Sequence, residues 1–319
     1  MRRAHGLRGP LQAALYPSLR VLHGLLGGLV ILRLVLAYAA VYVLWGSTYL
    51  PIRVAVRAGT PLSMAALRFT IAGLLLLALG RLRGDAWPAR AHLKGVLVLA
   101  ALLFLGGYGV LFWAEQRIAS GAAAVLVATT PLWLVLMESF LGRATLRDPR
   151  VVIGIAAGFA GVVTLLSGGV RPEGAGDVVA GGAVVLGSIS WCVGTLLMRG
   201  LDLPASKVVS SGAQMLAGGV LLAACAALTG ERVRAEDLTP GVLLALAWLV
   251  LAGSVVAYLA YVWLVAHEPV ARVATYAYVN PVVALLLGWW LGEERLTASA
   301  ALGGALVVAG VAATLTARR

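Results

Sequence analysis

The sequence predicts an all-α integral membrane protein of ten transmembrane helices, built as two inverted five-helix repeats. Three observations lead to this prediction: the apolar composition, ten separate apolar stretches and an internal repeat. Of the 319 residues, 61% are hydrophobic and only 12% are charged, whereas soluble domains contain about 25% charged residues. A chain of this size could not bury so much apolar surface in water, but a lipid bilayer accepts it.

Ten stretches of the chain are long enough to cross a bilayer. A spanning helix needs about 20 predominantly apolar residues. Each such segment must satisfy its own backbone hydrogen bonds, which a helix does. The predicted spans are residues 34–54, 62–80, 95–114, 118–140, 150–167, 177–198, 207–228, 240–264, 269–291 and 299–316.

The spans divide into a first repeat, residues 34–167, and a second repeat, residues 177–316. Residues 1–33 precede them and carry five arginines around an apolar run that is too short to span. We interpret residues 1–33 as a cytoplasmic N-terminal extension. They are either an amphipathic segment that precedes the first span, or residues that are included only because the start codon was assigned too far upstream.

Basic residues are distributed unequally between the two ends of the spans. With the N-terminus placed inside, seventeen of the 25 Lys and Arg residues lie on the inner side and seven on the outer side. Because Lys and Arg accumulate in cytoplasmic loops, this predicts a multi-pass protein of the bacterial inner (plasma) membrane with both termini in the cytoplasm. The net charge of +12 is thereby explained by topology, and no basic stripe indicates a nucleic-acid partner.

The chain resembles itself at a nearly constant offset. In the later spans of each half, an offset of 150 residues pairs Tyr108 with Tyr258, Trp113 with Trp263, Pro131 with Pro281 and Gly154 with Gly304. In the earlier spans, an offset of 146 residues pairs Trp45 with Trp191, Arg53 with Arg199, Arg68 with Gln214 and Gly73 with Gly219. Because each half has an odd number of spans, the second half enters the bilayer upside down. Two such halves can exchange conformations around one central site, which produces inward-open and outward-open states.

Several motifs resemble the drug/metabolite transporter superfamily, and most closely its EamA-type family. The resemblance covers about residues 34–316 and rests on Leu44–Tyr49, on Leu67–Phe69 with Gly73, on Pro131 and Pro281, and on Gly292–Thr297 followed by Gly303 and Gly310. The corresponding loop of the first half, Gly142–Leu146, lacks the acidic pair of the second. The resemblance implies export of amino acids, metabolites or drugs, and no motif specifies one substrate.

Arg68 is the most informative candidate residue, because an ionisable group inside a bilayer costs about 2.5–3.5 kcal/mol. It either faces a central cavity, where it binds a substrate carboxylate or pairs with an acid, or it is a snorkelling or structural arginine. Glu138 is expected to snorkel to the surface, with a proton-carrying role as the alternative. Glu115 and Arg117 are expected to form a local ion pair or an exposed loop.

Aromatic and amide side chains inside the spans complete the set of binding candidates. Tyr276 and Asn280 are four residues apart and therefore share a helix face. The substrate-binding candidates are Arg68, Trp45, Tyr49, Tyr108, Trp191, Tyr258, Tyr276 and Asn280. For the aromatic residues, packing or anchoring at the membrane interface is the alternative. Pro131 and Pro281 are predicted to shape their helices, because each removes a backbone hydrogen bond.

The sequence predicts neither a cofactor nor a metal. It has no Walker A motif, and the cysteines, Cys192 and Cys225, show no metal-ligand spacing. The prediction is therefore a secondary transporter that exports a small molecule by alternating access. The alternatives are a passive channel or facilitator and an integral-membrane enzyme, although clustered catalytic side chains are missing.

Besides the small-molecule substrate and the lipid bilayer, a homodimer is a further candidate partner. The small-residue pattern Gly154–Gly158 serves either dimerisation or, as we prefer, packing of the fifth span.

Overall fold

The computed structural model describes residues 30–57, 60–118, 120–141, 148–166, 175–291 and 298–316. Every regular element in these ranges is helical. The ten spans are α1 (Val30–Val56), α2 (Pro61–Leu82), α3 (Arg90–Ala114), α4 (Ser120–Val127 and Thr130–Phe140), α5 (Pro149–Leu166), α6 (Ala175–Leu197), α7 (Lys207–Leu228), α8 (Pro240–His267), α9 (Val270–Val273 and Tyr276–Leu291) and α10 (Ala298–Leu315).

Parts of the predicted chain lie outside the described residues. These are residues 1–29 of the predicted extension and the loop motifs Gly142–Leu146 and Gly292–Thr297. Residues 30–33, the last four of the predicted extension, already belong to α1. The helix therefore includes at least four residues more than the apolar pattern predicts.

The outer surface of the bundle is apolar, as a lipid environment requires. Six helices, α1, α2, α3, α6, α7 and α8, are by themselves long and apolar enough to cross a membrane. Shorter apolar helices, Pro149–Gly161 and Leu302–Thr314, lie within α5 and α10. Large side chains such as Leu74 and Leu244 are exposed, and in water such a surface would be an aggregation liability. The predicted fold of ten membrane helices is confirmed.

The two halves meet through corresponding helices, with α2 packed along α7 and α5 along α10. At the α2–α7 crossing, a Cβ on Gly73 would lie 2.5 Å from the backbone nitrogen of Leu216. A Cβ on Gly219 would lie 2.8 Å from the backbone nitrogen of Thr70. The offset of 146 residues converts one contact into the other. The pseudo-two-fold axis of the inverted repeat therefore passes through this crossing.

Glycines also bring α5 and α10 together. A Cβ on Gly154 would lie 2.7 Å from the carbonyl oxygen of Gly310, and one on Gly161 would lie 2.8 Å from that of Gly303. These two contacts are equivalent at an offset of 149 residues, one less than the offset of the sequence repeat. The small-residue pattern that begins at Gly154 thus packs within the chain.

Backbone irregularities concentrate in the helices around the interior. π-Helical turns occupy Ala40–Trp45 in α1, Ala100–Gly109 in α3 and Leu249–Val256 in α8. When the π-helical segment of α3 is shifted by 150 residues along the sequence, it overlaps that of α8. The two segments therefore occupy equivalent positions in the two halves. Wide turns of this kind are frequent at functional sites, because they redirect side chains without ending the helix.

The two predicted helix-shaping prolines have different surroundings. α4 is interrupted at residues 128–129, and Pro131 lies in the first turn of its second segment, where its missing N–H is not needed. The hydroxyl of Thr130 donates to the carbonyl oxygen of Val127 at 2.6 Å. Pro281 lies inside the second segment of α9, after an interruption at residues 274–275. Both spans that carry a paired proline are therefore interrupted.

We expect Gly73→Ala to destabilise the protein. The added Cβ would overlap the backbone of α7, so the two helices must separate at a cost of about 1–3 kcal/mol. Gly182→Ala in α6 is the matched control, because no atom lies within 4 Å of the position its Cβ would take. Thermal unfolding of the purified protein in detergent compares the two variants. An unchanged melting temperature for Gly73→Ala would contradict the described crossing.

Candidate functional site

Polar contacts between helix ends distinguish the two sides of the bundle. On the side where α1 begins, the hydroxyl of Ser206 donates to Asp85 at 2.7 Å and so links the start of α7 to the end of α2. We call it the first side. On the opposite, second side, the Glu231 carboxylate after α7 accepts a hydrogen bond from the backbone N–H of Ser63 in α2 at 2.8 Å.

The described helices enclose at least two cavities. The larger has a volume of about 810 Å³ and opens at the first side. Its polar lining includes Glu138, Arg199, Lys207, Gln214 and Glu268, and we call it the vestibule. The smaller has a volume of about 80 Å³ and is lined by α1, α3 and α4 of the first half and by α6 and α9 of the second. We call it the central cavity.

Six of the eight predicted substrate-binding residues line the central cavity. They are Trp45 and Tyr49 of α1, Tyr108 of α3, Trp191 of α6, and Tyr276 and Asn280 of α9. Tyr276 and Asn280 present the same face of α9 to the cavity. Tyr278 points to another side, where its hydroxyl donates to the carbonyl oxygen of Ile155 at 3.3 Å.

A layer of aromatic rings separates the central cavity from the vestibule. The ring of Tyr261 in α8 lies 5.0 Å from that of Trp45, 5.3 Å from that of Trp191 and 5.8 Å from that of Tyr276, measured between centroids. These three rings line the central cavity, whereas Val262, next to Tyr261, lines the vestibule. Tyr261 therefore lies between the two cavities.

Sequence reasoning did not single out Tyr261. Its side chain is 1% exposed, and its hydroxyl is hydrogen-bonded to that of Thr195 at 2.5 Å. One available signal was its position three residues after Tyr258, which puts both rings on one face of α8.

Arg68 and Tyr258 do not line the central cavity. Arg68 is 0% exposed, so it does not snorkel. Its Nε donates to the Ser254 hydroxyl at 2.9 Å, and its Cζ lies 4.8 Å from the ring centroids of Phe69 and Tyr108. Its Nη1 and Nη2 have no hydrogen-bond partner among the described residues. A positive charge is thus held by aromatic rings, directly behind the Tyr108 wall of the cavity.

Gln214 occupies the position of Arg68 in the second half. Its Oε1 accepts a hydrogen bond from the hydroxyl of Tyr258 at 2.9 Å, and its Nε2 donates to that of Ser210 at 2.9 Å. Both ends of the Gln214 amide are therefore satisfied. The two halves differ in charge, and in the completeness of hydrogen bonding, at equivalent positions.

Glu115 is not in the ion pair or exposed loop that the sequence led us to expect. It directly follows α3, is 5% exposed, and neither carboxylate oxygen has a hydrogen-bond partner within the described ranges. Burial raises the pKa of Glu115 well above its ordinary value, and the charges of Arg53 and Arg68 partly oppose this rise. Arg117 is exposed and lies 4.5 Å from the ring centroid of Trp113.

The expectation that Glu138 reaches the surface is also wrong. Its side chain is buried and lines the vestibule, because the vestibule extends between the helices up to this position.

In the part of the chain that the structure describes, no group of three His, Cys, Asp or Glu residues is arranged to hold a metal ion.

Comparisons with known proteins identify the family. The sequence pattern of the EamA-like transporter family matches residues 32–167 and again residues 180–316. The chain belongs to the EamA-like transporter family. It is similar to the inner membrane transporter YedA of Escherichia coli (strain K12), with 40% identity over 281 residues, 88% of this chain and 90% of YedA. It is also similar to protein PecM of Dickeya dadantii (strain 3937), with 27% identity over 264 residues, 81% of this chain and 84% of PecM.

A solved structure shares the fold of this EamA-like transporter. One crystal structure superimposes with a TM-score of 0.73 at 24% sequence identity, and the match covers 88% of this chain and 95% of that chain. The family and YedA confirm the resemblance found in the sequence and establish a membrane transporter. They point to transport rather than catalysis.

We expect Arg68→Met and Gln214→Met to have opposite effects on stability. Arg68→Met loses the hydrogen bond to Ser254 but removes a buried charge whose Nη atoms lack partners, so the melting temperature should be unchanged or higher. Gln214→Met leaves the hydroxyls of Tyr258 and Ser210 without their partner, at a cost of about 1–3 kcal/mol. Thermal unfolding in detergent measures both. If Arg68→Met unfolded at a lower temperature than Gln214→Met, Arg68 would be a structural residue.

Proposed function

We propose that this EamA-like transporter is a secondary transporter of the bacterial inner (plasma) membrane that exports small amphipathic metabolites, such as amino acids, by alternating access. One observation carries the proposal: the central cavity has walls from both halves of the inverted repeat. In inverted-repeat transporters, a site at the repeat interface can be exposed to each side in turn.

The walls of the central cavity favour a small amphipathic solute. Mostly apolar, aromatic walls with a few polar groups are typical of small-molecule sites, and here Asn280 and the hydroxyls of Thr48, Thr130 and Ser188 are the polar groups. The buried charge of Arg68 behind Tyr108 favours a carboxylate on the solute. The volume of about 80 Å³ is below the roughly 300–1,000 Å³ of ligand pockets, so the cavity must widen to admit its solute.

The relation between the two cavities supports alternating access rather than a channel. The vestibule opens at the first side, and the aromatic layer around Tyr261 separates it from the central cavity. If the halves exchanged conformations, the vestibule would close and an equivalent opening would form at the second side. A channel would instead require a continuous path.

The charge distribution supports an orientation of the protein that is compatible with export. The first side carries Arg81, Arg83, Lys94, Arg199 and Lys207. The positive-inside rule therefore favours a cytoplasmic first side. In this orientation the vestibule opens to the cytoplasm, the side from which an exporter takes up its solute.

A topology experiment tests the orientation. We expect green fluorescent protein fused after Arg319 to fluoresce and alkaline phosphatase at the same position to be inactive, because the C-terminus is cytoplasmic. Phosphatase inserted at the turn at Gly230, after α7 on the second side, is the control and should be active. Active phosphatase after Arg319 would reverse the proposed orientation.

Trp191→Phe tests the binding site. The Nε1 of Trp191 is buried without a partner in the described structure, so we expect it to donate to the solute once the cavity widens. Loss of one hydrogen bond, about 0.5–1.5 kcal/mol, should raise the half-saturation concentration about two- to tenfold. The measurement is counterflow in proteoliposomes with each of the common amino acids, radiolabelled in turn. Trp87→Phe is the control, because Trp87 is 55% exposed between α2 and α3.

Two results would contradict the proposal. Flux that rises linearly at all concentrations, without counterflow, would indicate a channel. Equal half-saturation concentrations for Trp191→Phe and the wild type would remove Trp191 from the site.

A further inference from the structure

Glu115 lies at the second-side end of the helix face that lines the central cavity. Tyr108 and Leu111 of α3 line the cavity. Glu115 follows Leu111 by one turn, and its backbone N–H donates to the carbonyl oxygen of Leu111 at 3.0 Å. Residues three, four and seven apart share one face of a helix. The carboxyl group is thereby placed where an opening at the second side would expose it.

The surroundings of Glu115 do not support a buried carboxylate. Its side chain is 5% exposed, and both oxygens lack a hydrogen-bond partner among the described residues. An ionised carboxylate that is buried without hydrogen bonds costs several kcal/mol or more, and such a group takes up a proton instead. This conformation therefore favours the neutral form of the carboxyl group.

Nearby cations would stabilise the ionised form once water enters. The charged and titratable groups that interact with Glu115 in the described chain are Arg53 and Tyr49 of α1 and Arg68 of α2, with exposed Arg117 beside it in sequence. Opposite charges favour a carboxylate, whereas burial disfavours it. The preferred form therefore depends on whether the second side is closed or open.

We propose that Glu115 is a proton-binding site that must be protonated before the second side can close. On closure, the carboxylate takes a proton from the solution on the second side and becomes a neutral acid. On opening, water and the two arginines stabilise the carboxylate, and the proton returns to solution. Acidification of the second side thus favours the closed conformation. The gating role rests on the proposed transport cycle, but the protonation itself is measurable without a substrate.

Infrared spectroscopy of the purified protein in detergent tests the site. At neutral pH, the wild type should show the carbonyl stretch of a protonated carboxylic acid, and Glu115→Gln should lack this band. Glu231→Gln is the matched control, because the Glu231 carboxylate, unlike that of Glu115, accepts hydrogen bonds from the backbone N–H groups of Leu62 and Ser63. The band should therefore persist in Glu231→Gln. A wild-type spectrum that matches that of Glu115→Gln in this region would overturn the proposal.

The pH dependence of stability provides a second readout. Because the folded protein holds a proton that the unfolded chain releases above its ordinary pKa, the free energy of unfolding of the wild type should fall as pH rises through the neutral range. Glu115→Gln lacks this loss, so its melting temperature relative to the wild type should increase from acidic to alkaline pH. If the melting temperatures of the wild type and Glu115→Gln changed in parallel with pH, the proposal would be contradicted. Should Glu115→Gln aggregate, Glu115→Asp tests the same assignment by shifting the infrared band.

Neither measurement requires transport. A negative infrared result would leave the carrier proposal intact, and missing counterflow would leave the protonation of Glu115 intact.

Discussion

The close approach of α2 and α7 at Gly73 and Gly219 determines the geometry of the bundle. Each glycine brings its helix within contact distance of the backbone of the other half, which a side chain would prevent. Lipid tails are as apolar as the helices, so close packing rather than the hydrophobic effect joins helices in a bilayer. Arg68 and Gln214 each lie five residues before one of these glycines. The crossing therefore also sets where the polar side chains stand relative to the two cavities.

Buried ionisable groups without partners lie near this crossing in the described part of the first half, whereas the partnerless polar atoms described in the second half, Trp191 Nε1 and the Ser211 hydroxyl, are uncharged. In the described part of the first half, the Nη atoms of Arg68 and both oxygens of Glu115 lack hydrogen bonds, whereas Gln214 in the second half is fully bonded. An unsatisfied buried group costs about 1–3 kcal/mol or more, so its presence calls for an explanation beyond folding. A proton would neutralise Glu115, and a solute carboxylate in the central cavity would compensate the charge of Arg68 across the ring of Tyr108.

Most of the fold could be predicted from the sequence, because the bilayer imposes the length and polarity of each span. Paired positions of the repeat also identified Trp45 and Trp191 in advance. Tyr261 was missed because its counterpart at the 150-residue offset is Leu111, so no matching aromatic pair marked it. The burial of Glu115 could not be predicted either. A hydropathy pattern assigns a carboxylate after an apolar stretch to a loop, whereas its burial depends on neighbouring helices that are distant in sequence.

The difference between Arg68 and Gln214 has an energetic consequence for a protein that exchanges the conformations of its halves. Two identical halves would make the two access states equal in free energy by symmetry. A buried cation behind aromatic rings in one half and a satisfied amide in the other remove this equality. Even about 1.4 kcal/mol of difference would populate one state tenfold over the other. Under the proposed alternating-access cycle, the unliganded transporter would therefore have a preferred resting orientation before any solute or gradient acts on it.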